Sequence, residues 1–220
     1  MRTIRVTGKG QLKVRPDVTR ITLDLNAVCP TYAEALKESS EKTEQLKNLL
    51  AQFGFERGDL KTLNFNVDTE YESYKERGAY KERLVGYRYV HRMKVEFPSD
   101  NDRLGKILYA LMNSPAKPEF HLSFTVSDPE KAKNELLGNA VADAREKAAV
   151  LAQAAGIRLL DIQNIEYAWD RIDFEVRPME RMFFAEGAID ANPGFGKLDM
   201  DIEPDDITVT DTVTLLWEIG

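Results

Sequence analysis

In this chain of 220 residues, the side chains that most readily exchange protons near neutral pH or bind metals are two histidines, one cysteine and 37 acids. A Ser- or Cys-based triad needs a histidine beside its nucleophile, and no sequence pattern around His91 or His121 supplies one. His91 shares a strand face with Tyr87, Tyr89, Met93, Val95 and Phe97, the setting of a core or edge histidine rather than a ligand. His121 alternates with Ser123 and Thr125 and is expected in solvent. A single cysteine excludes an internal disulfide and a multi-cysteine metal site. Cys29 follows a hydrophobic run and precedes Pro30, so it reads as a half-buried, inert thiol. Paired-carboxylate chemistry stays open, but nothing selects a pair among the 37 acids.

Three motif-like stretches lack residues that their chemistry requires. "ANPGFGKL" approaches a phosphate loop at Gly196-Lys197, yet Ala191 replaces the first glycine and Leu198 the Mg²⁺-binding hydroxyl. "DMDIEP", from Asp199, starts like a calcium loop, with Pro204 where the sharp turn needs Gly and Thr210 where a bidentate Glu belongs. "GYRYV", Gly86 to Val90, overlaps an RNA-recognition core, but Val85, Arg88 and Arg92 replace its basic, small and aromatic members. Tyr87 and Tyr89 also share their face with Met93, Val95 and Phe97, which marks core rather than a base-stacking platform. No catalytic, cofactor-binding or metal-binding residue is assigned on these grounds.

The elements that would position any site follow from periodicity. Ile4, Val6, Gly8, Gly10, Leu12 and Val14 lie on one face of a first strand, and Arg5, Lys9 and Lys13 on the other. Pro16-Asp17 breaks it, and a second strand turns Ile21, Leu23, Leu25 and Ala27 inward, which predicts a hairpin between the two. Thr31 and Glu34 form a capping box opening a helix to about Phe53, with Tyr32, Leu36, Leu46, Leu49, Leu50 and Phe53 as its apolar stripe. Two long strands follow, joined by the turn-like "KERGAYKE", with Asp68, Glu70 and Glu72 set against Arg88, Arg92 and Lys94. A short helix near 100–112, a strand at "EFHLSFTVS", an alanine-rich helix capped by Asp128-Pro129, and strands at "LLDIQNIEYAW" and "DITVTDTVTLLWEI" complete the order. In that helix Ala140, Ala144, Ala148 and Ala152 recur at every fourth position. Such a ridge brings a helix backbone close to another backbone, leaving Asp143, Arg145, Glu146 and Lys147 as its solvated side. The pattern predicts an α+β fold, a largely antiparallel sheet with helices on one face, in two related strand–helix–strand halves. It is read as one domain, 1–220, with subdomains considered at 1–98 and 99–220.

The net charge of −7 argues against nucleic acid or an anionic membrane as partner. Eleven acids and four bases between Asp170 and Asp206 place the same −7 within that segment, an acidic insertion. No apolar run reaches the ~18 residues of a membrane span. The alternating first strand lacks the apolar core of a signal peptide, so a cytoplasmic protein is expected.

I-x-V-x-G-x-G at Ile4–Gly10, Pro16-Asp17, the T-Y-A-E-A start at Thr31, "ADAREKAAVLAQAAG" and the closing "IEPDDITVTDTVTLLWEI" occur in an order that resembles the SIMPL-domain family. That family includes bacterial periplasmic immunogenic proteins and a mammalian kinase-associated signalling protein. The resemblance implies the shared fold, large homo-oligomers in some members, and links to stress tolerance or signalling. It carries over no catalytic residues, since none is agreed for the family. Many bacterial members carry a secretion signal, where this sequence begins with a strand. The expectation is a non-enzymatic SIMPL-type protein acting through homo-oligomeric assembly and a protein partner, in stress or envelope physiology. Met179, Met182, Phe183 and Phe184, inside the acidic segment, are the expected interaction residues, with Arg5, Lys9 and Lys13 of a neighbour receiving its acids. The alternatives are a small-ligand binder or enzyme with a pocket of scattered residues, and an RNA-recognition-like binder.

Overall fold

A computed structural model describes residues 2–76, 79–167, 172–177 and 202–220. Its elements are β1 (Thr3–Val14), β2 (Val18–Cys29), α1 (Tyr32–Ala51), β3 (Lys61–Glu76), β4 (Ala79–Pro98), α2 (Asn101–Met112), β5 (Glu119–Thr125), α3 (Pro129–Ala155), β6 (Leu159–Tyr167), β7 (Glu175–Val176) and β8 (Ile207–Ile219). The fold is α+β, and β1/β8, β6/β8, β2/β4, β3/β4 and β5/β7 all pair antiparallel. Packing separates two compact units that are not consecutive in sequence. One comprises Met1–Asp17, Phe124–Val176 and Pro204–Gly220; the other comprises Val18–Ser123 and Arg177–Glu203. Neither change of unit falls at residue 98 or 99, and β4 and α2 belong to the same unit.

The first unit holds the sheet β1-β8-β6 with α3 against one face. The hairpin expected between β1 and β2 does not form. β1 pairs instead with β8 along its whole length, from Thr3↔Glu218 to Val14↔Ile207. The cause lies at Pro16-Asp17. Asp17 donates its N–H to the Thr125 carbonyl, and its carboxylate accepts from the Ser127 N–H at 2.7 Å and from the Ser127 hydroxyl at 2.6 Å. A residue held in this way by a segment over a hundred positions away cannot close a tight turn, so the chain leaves β1 for a different sheet.

The alanine ridge meets β1 at its glycines. A Cβ at Gly8 would sit 2.1 Å from the Ala140 carbonyl oxygen and 2.4 Å from the Ala144 nitrogen; one at Gly10 would sit 2.3 Å from the Leu136 oxygen. Ala140, Ala144 and Ala148 are fully buried there with Val6, Val213, Leu215 and Trp217. Leu12, Val126, Ala132, Leu136, Phe174, Ile207 and Val209 form a second cluster in the same unit. Phe174 and the short β7 fall within the segment read as an acidic insertion, so part of it is core.

In the second unit the strand order is β3-β4-β2-β5, and the last residues of β5, Phe124 and Thr125, pair with β7 in the first unit. α1 starts at the expected capping box, with the Glu34 N–H donating to Thr31 Oγ1 and the Thr31 N–H to the Glu34 carboxylate. It ends at Ala51, short of Phe53, and Gly54 takes up φ +80° just beyond it. Its buried stripe is Ala35, Ser39, Leu46 and Leu50, while Tyr32 and Leu36, one position round the helix, are exposed. α1 packs over β2 and β4, whose Ile21, Leu23, Leu25, Tyr89, Met93, Val95 and Phe97 form the core with Leu104, Ile107, Leu108 and Leu111 of α2. β3 and β4 extend further than expected, to Glu76 and from Ala79, into the stretch read as a long turn.

Gly8→Ala and Ala144→Leu each force atoms into a backbone contact that cannot open without separating helix from sheet. Each is expected to lower the unfolding free energy in urea by roughly 1–3 kcal/mol. Wild-type midpoints for both would mean that α3 and β1 are not in contact.

Candidate functional site

The sequence assigns no catalytic group. Buried polar side chains lie beside concave surface where β2 ends and α1 begins. A cleft of about 310 Å³ is lined by Val28, Cys29, Pro30, Glu34, Lys37, Glu38 and Glu41. Pro30 ends β2, and the Thr31 cap starts α1 two residues after Cys29, so the thiol lies beneath the first turns of the helix. Gly86 allows this, because a Cβ there would stand 2.3 Å from the Cys29 carbonyl oxygen.

Cys29 is 4% exposed and its Sγ donates to Glu38 Oε2 at 3.2 Å. Burial, then the neighbouring Glu38 carboxylate, push the thiol pKa up to about 11. The Lys42 ammonium, 2.7 Å from Glu38 Oε1, holds that carboxyl below its ordinary range, with the Cys29 thiol assisting. Burial opposes charge on Lys42, yet Glu38 and Tyr89 more than offset it and its pKa rises. Tyr89 is fully buried beside these groups, and burial raises its pKa. Its Oη makes no hydrogen bond of acceptable geometry. Tyr89 is in the core, as its strand face predicts, and Cys29, expected to be half-buried and inert, is buried with a raised pKa. Glu38 and Lys42 join them without having been singled out in the sequence; their i,i+4 spacing on α1 is the available signal.

His91 lies on the same sheet face. Its Nδ1 is 3.3 Å from Ser39 Oγ and 3.1 Å from Thr43 Oγ1, and its Nε2 is 2.9 Å from Thr62 Oγ1. Phe65 packs edge-on against the ring at 5.1 Å. Thr43 spends its proton on the Ser39 carbonyl, so its oxygen can only accept from the ring. The imidazole therefore staples α1 to β3 with both nitrogens engaged. Ser39 is 2% exposed, out of reach of a substrate, so this Ser–His contact is structural. His121 is 67% exposed, as expected, with Nε2 3.8 Å from Asp24 Oδ2. Asp24 is buried and takes a two-point ion pair from Arg92.

Arg88 pairs with Glu70, but Arg92 goes to Asp24, Lys94 to Glu96 and Glu72 to Arg83. Asp143 is not purely solvated: it accepts the Lys9 backbone N–H at 2.6 Å and pairs with Lys147. With Asn139 donating to the Gln11 carbonyl, it supplies partners to β1 on the side that β8 leaves open. Arg5 pairs with Glu166 and Lys13 with Asp206, so these bases meet acids of their own chain. Tyr87 and Tyr89 face α1 rather than solvent, which removes the RNA-stacking surface. Met179, Met182, Phe183 and Phe184, like Gly196-Lys197 and Asp199, lie outside the described residues. Among the described residues no three His, Cys, Asp or Glu side chains gather where they could hold a metal ion, and no helix is long and apolar enough to cross a membrane.

Two measurements test this geometry. Roughly one Cys29 in a thousand is thiolate at pH 8 when the pKa is near 11. A disulfide reagent should therefore label the native protein slowly and the urea-unfolded chain at once, and fast native labelling would contradict the buried Glu38 contact. Burial, aided by Lys47, depresses the His91 pKa. Below about pH 6.5 the unfolded chain thus takes up a proton that the fold resists. Stability contributed by neutral His91 is complete above that pH and is lost as pH falls toward the depressed native value. The urea midpoint should drop between pH 7.5 and 5.5, and His91→Gln should flatten the slope; an unchanged slope would mean that the ring is solvated.

A family model described as "SIMPL: Protein of unknown function (DUF541)" matches residues 4–217. The 26 kDa periplasmic immunogenic protein of Brucella melitensis biotype 1 is 28% identical over 157 residues, covering 71% of this chain and 62% of that protein. The uncharacterized protein YggE of Edwardsiella ictaluri is 25% identical over 179 residues, covering 81% of this chain and 72% of its own. The chain thus spans less than two thirds of the Brucella protein's length. The structure of CutA from Synechococcus elongatus PCC7942 aligns with 57% of this chain and 95% of its own at 12% identity, with a TM-score of 0.20, too low to bear on the fold.

Proposed function

The chain belongs to the SIMPL family, and from that premise we propose that it works by assembling with copies of itself and presenting a surface to a protein partner, not by catalysis. The observation that carries this reading is apolar surface along two sheet edges. On β3, Leu63, Phe65 and Tyr71 are 51%, 43% and 57% exposed; on β6, Leu160 and Ile165 are 48% and 58% exposed. Apolar side chains gathered along strand edges mark interaction surfaces in folded chains. Met179, Met182, Phe183 and Phe184 add a proposed contact from the acidic segment. The physiology we assign is stress or envelope function. A single buried thiol suits a reducing cytoplasm, our reading of the compartment, and equally the periplasm that the Brucella relatives are named for.

A second reading, a small-ligand binder, is favoured by the cleft of about 310 Å³ at Cys29, which Glu34, Lys37, Glu38 and Glu41 line with polar groups. A compound that raises the melting temperature of the wild type and not of Glu38→Gln would favour it over assembly.

The assembly reading is tested by light scattering. Deleting Met179 to Asn192 should lower the solution mass while leaving the circular dichroism nearly unchanged. A wild type that runs as a monomer at micromolar concentration would sink the reading.

A further inference from the structure

Among the described residues β3 is the outermost strand of its sheet, with β4 on one side and no strand on the other. Two register irregularities divide it, one between Thr62 and Asn64 and one between Glu70 and Tyr71. Between them Asn64 to Glu70 forms a regular ladder of seven residues with Val67 at its centre. Natural edges are blunted by Lys, Pro, bulges or covering elements. This stretch contains no Lys and no Pro, and its bulges flank it rather than interrupt it. Of its two charges, Glu70 is taken up by Arg88. α1 packs over β2 and β4, leaving Phe65 exposed on the helix side of β3. β6, the other open edge noted, has register shifts at Leu159/Ile162 and Ile162/Asn164 that break its ladder into shorter pieces.

We propose that Asn64–Glu70 is the strand through which two copies of the chain pair, antiparallel about a two-fold axis at Val67. This rests on the assembly reading above and gives it a place. A two-fold through an antiparallel strand pair sets residue i opposite its mirror position. Here that places Val67 against Val67, Phe65 against Thr69, Asn66 against Asp68 and Asn64 against Glu70. On the helix side, Phe65 and Val67 of both copies meet diagonally across the axis, covering the exposed ring. On the opposite side, Asn66 and Asn64 face Asp68 and Glu70 of the second copy; within each chain Asn66 already donates to Asp68 and Arg88 holds Glu70, so the facing amides add donors to carboxylates that are partly engaged. No like charges are opposed. Shifting the centre by one residue toward the C-terminus sets Asp68 against Asp68, and shifting it by two sets Asp68 against Glu70, so the sequence penalises these neighbouring registers. The paired strands would also satisfy the backbone N–H and C=O groups that the β3 edge leaves to water.

The test uses the full chain in a Cys29→Ser background. Val67→Cys places two thiols directly opposite at the axis and should yield a disulfide-linked dimer under mild oxidation. Asn66→Asp opposes two carboxylates and should raise the dimer dissociation constant about tenfold, while Asn66→Lys, which faces Asp68, should not weaken it. Circular dichroism checks that each variant is folded. A wild-type oligomer that ignores Asn66→Asp and gives no Val67→Cys cross-link overturns this interface while leaving the assembly reading intact. A wild type that is monomeric and does not cross-link overturns both.

Discussion

The first unit is organised by how closely α3 can lie on β1, because the contact is backbone against backbone. Gly8 and Gly10 carry no Cβ, and Ala140 and Ala144 present only a methyl, so helix carbonyls come within about a side-chain atom's distance of the strand. Dispersion falls steeply with a gap of even half an ångström. The contact therefore fixes the height of the helix, and with it the depth available to Val6, Val213, Leu215 and Trp217 beside it. The same proximity lets Asp143 and Asn139 reach the outer backbone groups of β1, so the helix also covers an edge that would otherwise be open.

Much of this was legible in the sequence, for a physical reason. Caps, ridges and alternation are local, and Thr31/Glu34, Asp128-Pro129, the fourfold alanine spacing and the inward faces of β1 and β2 each state their structure within a few residues. What was not legible depends on contacts between distant positions. The hairpin inferred from two adjacent strands failed because Asp17 is held by Thr125 and Ser127. The charge ladder between β3 and β4 was right in kind, but Arg92 found Asp24 on β2, a strand that the local pattern gave no reason to place there. Around Cys29, four polar groups from β2, α1 and β4 converge, and only Glu38 and Lys42 had a spacing that could have announced it.

The polar groups inside the molecule serve mostly to hold elements together. His91 joins α1 to β3 through hydroxyls on both sides of its ring, and the Glu38–Lys42 pair sits over the end of β2. Among the described residues two side-chain oxygens depart from this pattern. Tyr89 Oη makes no hydrogen bond of good geometry although Glu38 and Lys42 lie beside it, and Asp211 Oδ2 is buried without a partner in the core stripe of β8, between Val209 and Val213 and opposite Gly10. An acid in a row of valines weakens the strand's apolar face at the point where the two clusters of that unit divide. Exposed apolar side chains, by contrast, gather on the edge strands β3 and β6, among them Leu63, Phe65, Leu160 and Ile165.

The pairing of β1 with β8 has a consequence for biosynthesis. A ribosome releases β1 first and β8 last, and the strand must remain unpaired while about two hundred residues are added. Val18–Ser123, continuous in sequence, has all its strands available long before that. The nascent chain would thus carry the strands of the second unit and, ahead of them, a glycine-bearing strand still waiting for both its neighbours. Closure of that long loop is entropically slow, and for its duration the valine and alanine faces of the unfinished unit are open to other nascent chains.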